Sequence, residues 1–190
     1  MFAFKDNYYL YIENTQILNL SLFKNKKKFI IIYRNVGKKE NVHELIKFRL
    51  RCKQKNIKFF IANDIKLLTL LKADGLYLSA FNRNLAHSLK RKKHLEVIGS
   101  AHNYKEISIK KAQGCKSVIF SRLFRTNYKE KKSFLGIVKF NLFEKTSLLH
   151  LIPLGGIRLN NLNSLKIVNS KSMAIFSEIK KKPAITSRLF

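Results

Sequence analysis

A chain of 190 residues is long enough for one well-cored domain and too short for two ordinary ones, and 46% hydrophobic residues with only seven Gly and two Pro exclude a disordered or fibrous protein. The 39 Lys and Arg against 11 Asp and Glu give a formal net charge of +28, but the excess is mostly Lys and is spread along the chain, which speaks for a solvated basic surface and against a dedicated nucleic-acid face. Cys52 and Cys115 match no metal or redox spacing, no apolar run is long enough to span a bilayer, and the first residues show no secretory pattern, so the expected setting is the reduced cytoplasm, with no membrane partner.

Along the chain, short apolar runs alternate with amphipathic, lysine-studded segments, the pattern of buried parallel strands joined by surface helices. Strands are predicted at 8–12, 29–33, 58–62, 75–78, 96–99, 117–120, 150–154 and 173–176. Segment 17–27 offers at most a short first helix. Helices follow at 42–55, where Val42, Leu45, Ile46 and Leu50 fall at helical spacing, and at 65–72, 83–92, 104–113 and 159–169. Beyond residue 179 a basic tail, 180–190, is interrupted by Pro183. The expected organisation is a single domain over 1–190 with its core at about 7–179.

Eight strands alternating with helices suit either a closed barrel or an open doubly wound sheet. An open sheet that binds a dinucleotide would carry Gly-x-Gly-x-x-Gly after its first strand, and residues 8–19 contain no glycine. The expected fold is therefore α/β, a (β/α)8 TIM-type barrel with reduced first and last outer helices. Those reduced helices would bare neighbouring strand faces, and a homodimer is one way to cover them.

In such a barrel, functional residues gather where strands end. The strand ends here carry Tyr33-Arg34-Asn35, Asn63-Asp64, Ser79-Ala80-Phe81-Asn82, Ser100-Ala101-His102, segment 122–129, Gly155-Gly156 and Ser177-Glu178. Gly155-Gly156-Ile157, with a helix expected near Asn160, reads as a phosphate cradle or as a tight turn; Ser177 on the next strand end favours the cradle. Arg34, Thr126 and Lys129 supply charge and donors for a second phosphate or a diphosphate. Asp64 has two readings of equal weight, a hard-cation ligand beside Asn63 or the N-cap of the helix that follows. His102 reads as a residue that orients its loop.

These segments resemble, in order, the motif series of the thiamine phosphate synthases and the related thiazole tautomerases. Ile61-Ala62-Asn63-Asp64 resembles the family's Asn-Asp strand end, and Ala73-Asp74-Gly75-Leu76-Tyr77-Leu78 its Ala-Asp-Gly-(Val/Ile)-His-(Leu/Ile) strand. Ile98-Gly99-Ser100-Ala101-His102 resembles Gly-x-Ser-x-His, and the segment from Phe124 to Lys129 resembles Pro-Thr-x-Thr-Lys. Gly155-Gly156-Ile157 resembles the phosphate loop and Phe176-Ser177-Glu178-Ile179 the final (Val/Ile)-Ser-x-Ile.

The resemblance implies coupling of an aminopyrimidine methyl diphosphate to a thiazole phosphate. Arg34, Ser100 and Lys129 would contact the diphosphate as catalytic groups, Asn63 the pyrimidine, and Asp64 with Asn82 a Mg2+ ion. Thr126, Gly155, Gly156, Phe176 and Ser177 would hold the thiazole phosphate. The sequence also departs from the family. Where the family has Gly-Gln-(Glu/Asp)-Asp, with the last Asp a metal ligand, this chain has Ser79-Ala80-Phe81-Asn82, and Asn82 brings no charge. The family's Gln-x-Arg-x-Lys becomes Ile32-Tyr33-Arg34-Asn35-Val36, and its second loop threonine becomes Tyr128. The tautomerase histidine aligns with Arg122, which cannot serve as a base near neutral pH. Three alternatives accompany the synthase reading: a tautomerase-like enzyme, a barrel that only binds thiazole or thiamine phosphate, and, ranked last, a nucleic-acid binder.

Overall fold

A computed structural model describes residues 5–23, 26–37, 40–83, 95–126 and 133–175. Eight strands, β1 (Asn7–Ile12), β2 (Phe29–Tyr33), β3 (Lys58–Ala62), β4 (Gly75–Leu78), β5 (Glu96–Ala101), β6 (Ser117–Ser121), β7 (His150–Leu154) and β8 (Ser172–Ile175), close into a barrel in chain order. Neighbouring strands are parallel, and β8 returns to β1 with Tyr8 opposite Met173 and Leu10 opposite Ile175. The expected barrel is the observed one. Among the described residues the helices are α1 (Val42–Gln54), α2 (Ile65–Leu70), α3 (Tyr104–Ala112) and α4 (Gly136–Thr146).

Strand side chains alternate between two buried layers, the consequence of a two-residue period in strands covered on both faces. Tyr9, Tyr11, Ile30, Ile32, Phe60, Tyr77, Ile98, Ile119, Ile152 and Ala174 fill the barrel's interior. Tyr8, Leu10, Phe29, Ile31, Phe59 and Val118 face outward and pack beneath the helices and loops. Each fully buried aromatic or branched side chain contributes about 1.5–3 kcal/mol relative to exposure, which is why short apolar runs suffice to set the strands. The interior is a packed core and not a pore: Tyr11 of β1 and Tyr77 of β4, three strands apart, meet edge-on with ring centroids 5.4 Å apart.

One expected element differs in kind, and one helix was not expected. Over segment 17–27, where at most a short helix was expected, the described residues form only short 3-10 turns, at Thr15–Ile17, Leu20–Leu22 and Lys26–Lys28. Segment 159–169 forms two 3-10 turns, Leu159–Asn161 and Asn163–Ile167, where an α-helix was expected. Its buried residues Leu162, Leu165 and Val168 recur every three positions, which is the period of the tighter helix. Helix α4 was not anticipated at all. The expected helix at 83–92 lies outside the described residues apart from Arg83.

Candidate functional site

The site is bounded below by the Tyr11–Tyr77 pair. Arg34 follows β2, and because Ile30 and Ile32 face the barrel axis, continued alternation puts Arg34 on the same face, one step nearer the mouth. Burial and the neighbouring Tyr77 push the Tyr11 hydroxyl well above the ordinary phenol range, while the Arg34 charge pulls it the other way. Arg34 thus belongs above the aromatic floor. Ser100 lies two residues beyond the inward Ile98; β5 extends through Ala101, so Ser100 is a buried residue within the strand, one past the strand end expected at Gly99.

The ends of β3 and β4 form one hydrogen-bonded corner. Asn63 adopts a left-handed backbone (φ 58°), which asparagine tolerates better than most residues, and its N–H donates to Tyr77 O at 2.9 Å. Its Oδ1 accepts from Ser79 N at 3.0 Å and from Asn82 Nδ2 at 3.1 Å, while its Nδ2 donates to Ser79 Oγ at 3.1 Å. Asp64 Oδ1 accepts the Leu67 N–H at 2.9 Å, so Asp64 caps α2. Asp64→Ala is expected to lower stability by about 1 kcal/mol, with Asp64→Ser recovering most of it; urea unfolding of the three proteins checks this, and equal loss in both variants would mean the cap is not the source.

Behind this corner lies a residue that the sequence reading did not single out. Lys110, on α3, is completely buried, and its Nζ donates to Ser79 O (2.7 Å), Asn82 O (2.7 Å) and Gln113 Oε1 (2.9 Å). Its stem crosses the outer face of β5 at Gly99, where a Cβ would come within 2.8 Å of Lys110 Cγ and Cδ. Burial lowers its pKa from the usual lysine value, with Cys115 and Glu106 opposing that effect. On the same helix, Glu106 accepts the His102 N–H (2.7 Å) and meets His102 Nδ1 (3.1 Å), so His102 orients its loop as expected.

The third part of the mouth joins β6 to β7. Leu123 N–H donates to Leu154 O (2.9 Å) and Phe124 N–H to Gly155 O (3.0 Å), lacing the two loops together. Asn161 closes the glycine loop, donating from Nδ2 to Gly156 O (2.8 Å) and accepting Arg158 N–H at Oδ1 (2.8 Å). Above it opens a cavity of about 320 Å³ lined by Phe124, Arg125, Phe134, Gly156, Arg158, Asn160 and Asn161. Two guanidiniums, two amides and two aromatic rings thus surround the glycine loop. Thr126 Oγ1 accepts from Arg122 Nη1 at 3.1 Å, which leaves its hydroxyl hydrogen available as a donor. Lys129, Phe176 and Ser177 lie outside the described residues.

Of the residues proposed from sequence, Asn63, Asp64 and Asn82 share one corner, Gly155, Gly156 and Thr126 share the β6–β7 side, and Arg34 belongs above the floor between Tyr11 and Tyr77. Arg125, Arg158, Phe134 and the tyrosine floor escaped the sequence reading. Arg158 could have been found from its position two residues after a glycine pair, and Tyr77 from its occupying the family's histidine position.

The architecture and this mouth define the class: a (β/α)8 barrel with a basic, glycine-based cavity at the C-terminal ends of its strands. The chain belongs to the thiamine monophosphate synthase (TMP-TENI) family, whose model matches residues 19–179. It is 26% identical over 176 residues to a thiamine-phosphate synthase of Prochlorococcus marinus (strain AS9601), covering 92% of this chain and 48% of that one. To a thiamine-phosphate synthase of Pelagibacter ubique (strain HTCC1062) it is 26% identical over 162 residues, covering 83% and 78%. The chain thus spans about half the length of the Prochlorococcus relative. Among solved structures, thiamine phosphate pyrophosphorylase from Pyrococcus furiosus superimposes with a TM-score of 0.75 at 15% identity, over 98% of this chain and 95% of that one. The YdjI aldolase from Escherichia coli K12 gives 0.68 at 9% identity, covering 97% and 89%; both likenesses are of fold. No helix among the described residues is long and apolar enough to cross a membrane.

Proposed function

We propose that the chain couples an aminopyrimidine methyl diphosphate to a thiazole phosphate, releasing diphosphate. The observation that carries this is the cavity at Gly156, where Arg125 and Arg158 stand beside two aromatic rings, Phe124 and Phe134. Guanidiniums and a glycine loop suit a phosphate, and aromatic rings suit a flat heterocycle on the same ligand. Family membership supports the same substrates.

The bond between the pyrimidine's methylene carbon and the diphosphate oxygen breaks, and its electron pair leaves with the oxygen. The thiazole nitrogen then donates its lone pair to the methylene carbon. The protein's work is to neutralise the departing oxygens and to hold the two partners in line. Arg34, Ser100 and Lys129 are assigned to the diphosphate; Arg125, Arg158, Thr126, Gly155, Gly156, Phe176 and Ser177 to the thiazole phosphate. Asn63 retains one N–H for the pyrimidine beyond those that build its corner. A tautomerase needs a proton acceptor, and at the aligned position Arg122 instead donates to Thr126, which favours coupling.

The test is incubation of the protein with both phosphates, reading thiamine phosphate and diphosphate together. Equimolar appearance of the two is expected. Thiazole isomerisation without the pyrimidine would select the tautomerase reading, and binding of both ligands without product would remove catalysis from the proposal.

A further inference from the structure

We infer that the Asp64–Asn82 corner is not a divalent-cation site in this chain, and that the buried ammonium of Lys110 occupies its electrostatic place. The donor set argues this. The corner's ionisable carboxylate is Asp64, whose Oδ1 is engaged as the α2 cap. The Asn63 carbonyl, a natural oxygen ligand, already accepts from Ser79 N and Asn82 Nδ2. The two main-chain carbonyls of the turn, Ser79 O and Asn82 O, each accept from Lys110 Nζ at 2.7 Å. Among the described residues no group of three or more His, Cys, Asp or Glu stands together.

A hard dication needs oxygen ligands and is repelled by a nearby fixed positive charge. At this corner the carbonyls are spent on an ammonium, and that ammonium is buried where solvent screens it least. Among the described residues it also has no counter-charge within its hydrogen-bond partners, which are two carbonyls and an amide oxygen. Lys110 is a positioning residue: it fixes the Ser79–Asn82 turn from behind and places a buried positive charge against that turn's carbonyls. On the function proposed above, the substrate's diphosphate is then met by side-chain cations in place of a metal ion.

The decisive measurement is titration of the full chain with Mn2+, followed by electron paramagnetic resonance without any phosphate ligand. The wild type is expected to show no saturable site tighter than ~1 mM. Saturable binding that Asp64→Asn removes would overturn the inference, since asparagine keeps the cap and discards the charge. The double variant Lys110→Met, Asn82→Asp is expected to acquire Mn2+ binding at least ~10-fold tighter than wild type, because a second carboxylate appears and the opposing charge goes. A folded double variant that binds no better would overturn the role given to Lys110. Binding of inorganic pyrophosphate, compared in EDTA and in Mn2+, separates this inference from the function on which its last step rests. Affinities within ~2-fold of each other support side-chain neutralisation. An increase of more than ~10-fold in Mn2+ overturns it. Failure to bind pyrophosphate in either buffer would count against the proposed function, while the Mn2+ titration still decides the metal site.

Discussion

Replacing Gly156 by alanine is expected to lower stability by about 3 kcal/mol and to abolish affinity for the thiazole phosphate. Two effects combine. The backbone at Gly156 is left-handed, with φ 68°, which costs a residue bearing a Cβ about 1 kcal/mol by itself. The larger effect is steric, because a Cβ there would stand 2.6 Å from both Phe124 O and Arg125 O. Those are main-chain atoms of a loop already laced to β7 by the hydrogen bonds of Leu123 and Phe124, so they cannot swing aside as a side chain would. Gly114 supplies the control: its φ is 82° but no heavy atom would lie within 4 Å of its Cβ. Gly114→Ala should therefore show the conformational cost alone, about 1 kcal/mol. Urea unfolding of both variants, with binding of the thiazole phosphate measured on each, checks the argument. Equal losses at the two glycines would show that the β6 loop yields, and that the glycine pair is a turn with no demand for close approach. Gly156→Asp would add a negative charge beside Arg125 and Arg158 and should also lose the ligand.

This close approach could not be read from two adjacent glycines, which serve tight turns equally well. It depends on where the β6 loop lies, and that is a tertiary fact. The strands were far more legible. β2, β3, β4 and β7 have the bounds their apolar runs predict, because strands buried on both faces show as continuous runs bounded by polar or turn residues. Helix α4 was hidden for the opposite reason. It begins at Gly136 with no side-chain cap, and Val138 and Leu142 are exposed while Phe140 is buried, so apolar residues sit all around it and blur the helical period. Lys110 was hidden by its surroundings: in a lysine-rich chain a lysine on an amphipathic helix reads as solvated. The clue lay in another segment, at Gly99, whose missing side chain makes room for the lysine stem. Asp64 was legible as a pair of roles but not as one of them, since a cap and a metal ligand call for the same residue at the same strand end.

Asp74 shows how a family motif can be carried by structure alone, and Asp74→Ala is the second large effect expected. Its Oδ2 accepts the Phe59 N–H at 2.8 Å and its Oδ1 accepts from Arg49 Nη2 at 2.8 Å, while its own N–H donates to Phe59 O at 2.9 Å. One carboxylate therefore joins the start of β3, the approach to β4 and helix α1, on the side of the barrel away from the mouth. Its removal leaves the Phe59 N–H without its acceptor and Arg49, only 8% exposed, without its counter-charge. Arg49 Nη2 keeps Lys72 O at 3.1 Å, a neutral partner that offsets part of the loss. The expected cost is about 2–4 kcal/mol, larger than for an exposed ion pair because the cation stays buried. Asp74→Asn should fall between, since its oxygen can still accept from one donor while its amide nitrogen cannot accept from Arg49. In an Arg49→Met background the buried charge is absent, so Asp74→Ala should cost about 1–2 kcal/mol less than in the wild type. Urea unfolding of the four proteins of this cycle measures the difference. Strict additivity would show that the ion pair with Arg49 adds nothing to the effect of losing Asp74, which would then rest on the Phe59 hydrogen bond.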